Sequence, residues 1–161
     1  MKHMKRFMAL FAALALVLAM AVPAFADEPT KGSITINKAT AGTTYTAYKI
    51  FDLDYVEETT TTKASYAYTA DAKWKAFVTG SGAGAAYVKY NEKTGAVTAK
   101  DTFNEEQAPA FAKAALAYAQ SSAITGVTEK ADASGKVEFK NLDLGYYVVD
   151  TPMGALCVLD S

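Results

Sequence analysis

The chain has 161 residues, and its first 26 read as a removable leader, which leaves enough for one domain with a real core and too little for two. Lys2, Lys5 and Arg6 lie in the leader and no acidic residue does, so the remainder carries a formal charge of −4 and lacks the basic footprint of a nucleic-acid binder. The only histidine is His3 and the only arginine is Arg6. Their position removes Ser-His-Asp and Cys-His nucleophile pairs and His-rich metal sites from the remainder. The single cysteine, Cys157, cannot make an internal disulfide or a cysteine zinc cluster. Carboxylate, lysine and tyrosine chemistry, or no catalysis, is what is left. The apolar and aromatic content is that of a folded chain.

Residues 1–26 begin basic, run apolar from about Phe7 to Val22, and close on Ala24-Phe25-Ala26. That is the three-part design of a secretory signal, with cleavage expected between Ala26 and Asp27. A secreted domain without a disulfide must be held by its core or by some other staple.

The mature chain opens with a polar lead over 27–32. Ser33-Ile34-Thr35-Ile36-Asn37-Lys38 alternates apolar and polar residues and predicts a strand. Ala41-Gly42 breaks it. Thr43–Leu53, dense in Thr, Tyr, Ile and Phe, predicts a second strand. Glu57–Lys63, with four threonines in a row, predicts an exposed loop, and Ser65–Thr69 a short strand. Asp71 to Gly80 predicts a short helix, with Asp71 as its cap, Gly80 at its end, and Trp74, Phe77 and Val78 on one face. Ser81–Ala85 predicts a flexible, glycine-rich connection. Tyr87–Tyr90 and Ala96–Ala99 predict a hairpin around a five-residue loop. Asn104–Gln120 predicts the longest helix, with Glu105 and Glu106 at its positive end, Pro109 either in its first turn or marking a delayed start, and Phe111, Ala114, Ala115 and Tyr118 in one stripe. Lys136–Lys140, Gly145–Thr151 and Ala155–Leu159 predict three closing strands. About seven short strands around two helices imply a mainly β chain, a β-sandwich with a helical insertion. The end at Ser161, directly after a strand, leads us to expect the first domain of a longer protein.

Gly80-Ser-Gly-Ala-Gly84 lacks the Gly-Lys-Ser/Thr of a phosphate loop and is read as a connection. Asp52, Asp54, Glu57 and Glu58 lack the spacing of a calcium loop. They are read as a solvated strand end, with a glycosidase-type carboxylate pair as the competing function. No metal and no cofactor is expected. The strand tyrosines, among them Tyr45, Tyr48, Tyr66, Tyr68, Tyr87, Tyr90, Tyr146 and Tyr147, suit half-buried sheet positions or a sugar-binding platform. Lys38 carries two readings. If it shares the core face of Ile34 and Ile36, its amine is enclosed and needs a partner. If the strand ends there, it reaches solvent.

Three stretches resemble the Cna-B-like immunoglobulin-fold domains of Gram-positive surface proteins. They are Ser33-Ile-Thr-Ile-Asn-Lys38, Gly42-Thr-Thr-Tyr-Thr-Ala-Tyr-Lys-Ile50, and Phe139, Leu142, Gly145, Tyr147 and Val149 in the order F-x-x-L-x-x-G-x-Y-x-V. With the leader and the helical insertion, residues 32–160 most resemble the N-terminal domain of sortase-assembled backbone pilins. The resemblance implies an immunoglobulin-like sandwich over 27–161. It also implies a structural role in a cell-wall pilus, with stacking against neighbouring subunits and attachment by sortase through regions outside this chain. The alternatives are a secreted module that binds a host glycan or matrix protein and, further off, a secreted carboxylate hydrolase.

In that family an inward lysine often joins an Asn or Asp side chain through an isopeptide bond promoted by a buried acid. The resemblance makes Lys38 the candidate lysine. The position of the acid holds Thr151 here, and none of Asn37, Asn91, Asn104 and Asn141 falls on the closing strand. The expectation is therefore an ion pair or hydrogen bond at Lys38 without a covalent link, with Asp160 as the best acceptor in the chain should a bond form.

Overall fold

The computed structural model describes residues 31–56, 65–151 and 154–156. Within them the chain is mainly β, with antiparallel sheets and two α-helices. The elements in order are β1 (Gly32–Ile36), β2 (Thr44–Val56), β3 (Ser65–Thr69), α1 (Ala72–Val78), a 3-10 helix (Ala83–Ala86), β4 (Val88–Tyr90), β5 (Ala96–Ala99), α2 (Ala108–Ser121), β6 (Val127–Lys130), β7 (Val137–Leu142), β8 (Gly145–Thr151) and β9 (Gly154–Leu156). β1 and β7 pair as a small sheet. The larger sheet runs β4-β5-β3-β2-β8-β9, and β6 also pairs with β2. The leader, the cleavage position Ala26–Asp27, the threonine-rich stretch and Asp160 lie outside the described residues.

β8 explains the layering. Its run Tyr146-Tyr-Val-Val149 is apolar at every position because both of its faces are covered. Side chains alternate across a strand. Tyr146 and Val148 belong to one buried cluster with Trp74, Phe77, Phe111 and Ala115 of the helices. Val149 belongs to a second cluster with Ile36, Val137, Phe139 and Leu142 of the small sheet, and Tyr147 packs against that cluster. The larger sheet thus carries helices on one face and the β1–β7 sheet on the other. Burying a large apolar side chain contributes about 1.5–3 kcal/mol, so both clusters matter to stability.

β2 crosses between the two cores. Tyr45 and Ala47 face the second cluster, whereas Ile50 and Phe51 both face the first. A register shift between Lys49 and Phe51 permits this, since Lys49 pairs with Tyr147 and Phe51 with the adjacent Tyr146. One extra residue on one strand is a β-bulge, and it exchanges the faces beyond it.

The helical core is aromatic. The Phe111 ring lies 5.5–6.3 Å from those of Phe103, Tyr87, Phe77, Tyr146 and Phe51. Asp71 caps α1 by accepting from the amides of Lys73 at 2.7 Å and Trp74 at 3.1 Å. The expected hairpin forms with Tyr90 opposite Val97. Tyr45, Tyr68 and Tyr146 are buried and Tyr66 is exposed.

Several expectations are corrected. The glycine-rich stretch after α1 includes a 3-10 helix, and Gly84 within it is buried where a Cβ would stand 2.5 Å from the Phe77 ring. α2 starts at Ala108 and not at Asn104, the delayed start that Pro109 marks, with the Asn104 side chain accepting from the Gln107 amide in a turn ahead of the helix. Glu105 and Glu106 therefore precede the helix. β6 was not expected, and all four of its side chains are exposed.

Candidate functional site

Lys38 is not on the core face. β1 ends at Ile36, and Lys38 is exposed with a left-handed backbone, φ +61°. The physical reason is the corner that carries the chain from the small sheet to the large one. Ala39 donates its amide to Gly135 at 2.8 Å and Gly42 to Ala131 at 2.9 Å, so the segment turns immediately after the strand. Of the two readings of Lys38, the geometry fits the one in which the strand ends and the side chain reaches solvent, and the enclosed, paired amine is corrected. Thr151, at the position where the resemblance calls for an acid, is buried. Asp150 lies on the other face and accepts from the Gln120 side chain at 3.3 Å.

The carboxylates singled out near the end of β2 divide. Asp52 forms an ion pair with Lys49. Asp54 accepts from the Thr69 hydroxyl at 3.4 Å. Glu57 and Glu58 lie outside the described residues. Lys49 also stands 3.8 Å from Asp143, which in turn pairs with Lys31 just before β1. Lys31, Asp143, Lys49 and Asp52 form a chain of alternating charge between the start of the small sheet, the β7–β8 turn and β2. Lys31 is the main cause that holds the Asp143 carboxyl below its ordinary 3.8, with Lys49 adding to it. The Tyr147 hydroxyl is pushed up by burial first and then by Asp143 and Asp52.

A second charged region lies between β6 and β7. The two strands leave a shared turn, where the Asp132 amide donates to the Lys136 carbonyl at 2.9 Å, and then enter different sheets. The turn is built by the Asp132 carboxylate. One of its oxygens accepts from the Ser134 amide at 2.8 Å, the Ser134 hydroxyl at 2.7 Å and the Lys136 amide at 2.9 Å. Gly135 closes the turn at φ +76°, where a Cβ would stand 2.7 Å from the Ala39 carbonyl oxygen. Where the strands part they leave a groove of about 450 Å³, lined by Glu129, Lys130, Asp132, Lys136, Glu138, Lys140 and Asn141. Lys136 and Lys140 reach Glu138 at 3.4 and 3.3 Å. Lys140 is the leading cause that lowers the Glu138 carboxyl.

The groove's chemistry is ion pairing and hydrogen bonding at an open surface. None of its lining residues was singled out as a site from the sequence, because β6 was invisible there. The alternation Lys136, Glu138, Lys140 on the predicted strand was the available signal. Among the described residues, no group of three or more His, Cys, Asp or Glu side chains is placed to hold a metal ion. Among them, too, no helix is long and apolar enough to cross a membrane.

Compared with protein-family models, the chain matches none, and no curated protein matches it.

Proposed function

We propose that the chain is an exported structural domain with an immunoglobulin-like sandwich, a non-enzymatic subunit domain of a wall-anchored pilus of the Gram-positive type that stacks against neighbouring subunits. The observation that supports this reading most is the convergence of the three stretches behind the resemblance. The third stretch, far along the chain from the other two, pairs with each of them in space. Ile34 stands opposite Phe139, Ala47 opposite Val149, and Lys49 opposite Tyr147. Ile36, Ala47, Phe139, Leu142 and Val149 share one buried cluster, separate from the aromatic core of the helices. A β unit with its own core, carrying helices between its strands, is the arrangement expected of a sandwich with a helical insertion.

The test is biochemical. Cells that make the native gene product are digested with a muramidase, and the released wall material is separated under denaturing conditions and probed with antibody to this chain. A ladder of boiling-resistant multimers is the expected result, because sortase joins subunits covalently. A single monomeric species, or recovery only from the cytoplasm, overturns the proposal.

A further inference from the structure

We draw no further inference here: the strongest candidate, the open groove between β6 and β7, belongs to the site already described and sets Lys130, Lys136 and Lys140 among Glu129, Asp132 and Glu138, so that its charges balance and nothing in the structure shows what covers it.

Discussion

Lys49 and Asp52, three positions apart on β2, lie on the same face of the sheet and form an ion pair. In a regular strand, positions three apart face opposite ways. The bulge between Lys49 and Phe51 brings them together, and it also turns both Ile50 and Phe51 into the aromatic core. One backbone irregularity thus sets the packing on one face and the charge network on the other.

The lowered carboxyls of the two charged regions predict a direction for acid sensitivity. Asp132, Glu138 and Asp143 all have carboxyl groups lowered in the folded state. As pH falls, the unfolded chain takes up protons first. Their contribution is therefore present above the ordinary carboxylate range and is lost as pH drops through the lowered native values. The groups are exposed, so the effect is modest. Urea midpoints should match at about pH 7 and 6 and fall by about pH 3. Lys31→Met removes the leading cause at Asp143, so the Asp143 carboxyl should titrate closer to 3.8 by NMR, with a smaller shift in Lys49→Met. An unchanged Asp143 titration in Lys31→Met would contradict the pairing.

Tyr147 predicts the worth of a single hydroxyl. It donates to the Asp143 carbonyl at 2.7 Å, closing the β7–β8 turn, while its ring packs against the second cluster. Tyr147→Phe keeps the ring and removes the donor. The expected loss is about 1 kcal/mol, the net value of one such bond. Chemical denaturation measures it, and equal stability of the two proteins would show that the bond contributes nothing.

Sequence patterning revealed most where burial imposes a period or an end signal is local. The apolar run of β8 and the Asp71 cap of α1 are both of this kind. It failed where no such signal exists. β6 has four exposed side chains, so neither alternation nor an apolar run marks it. Alternation persists to Lys38, two residues past Ile36 where β1 ends. The corner that ends it depends on Gly135 and Ala131, about a hundred residues away in the chain. The groove was illegible for the same reason: it exists because two strands leave one turn for different sheets, and one of those strands carries no pattern. The Lys49–Asp52 pair was hidden by a bulge, which shifts faces without changing composition.

Two glycines separate steric crowding from backbone strain. At Gly145 an added Cβ would stand 2.3 Å from the Phe51 carbonyl oxygen and 2.9 Å from the Lys49 side chain. The nearer atom is backbone in the central β2–β8 ladder and cannot yield locally. Gly95 has φ +74° but nothing within 4 Å of the added carbon. Gly145→Ala should therefore cost about 2–3 kcal/mol, as overpacking does. Gly95→Ala should cost only about 1 kcal/mol, the left-handed penalty. Thermal unfolding of both variants decides the order, and a larger loss at Gly95 would reverse the argument.

Lys38 yields the last prediction. Its exposed side chain and left-handed backbone place its amine in water. An amine in open water, with no enclosure around it, is not set up to attack a side-chain carbonyl. No amide bond to Asp160 or to any other residue of the chain should form. Loss of water or ammonia would lower the intact mass by about 18 or 17 Da, the formula masses of the groups released in such a nucleophilic condensation. The intact mass of the exported protein should show neither deficit. Lys38→Ala should differ from the parent only by the substitution itself, with stability within about 0.5 kcal/mol, as for other surface changes. A deficit present in the parent and absent in Lys38→Ala would mean that the lysine reaches an acceptor this geometry does not offer, and the corner between β1 and β2 would have to be rearranged to bring it there.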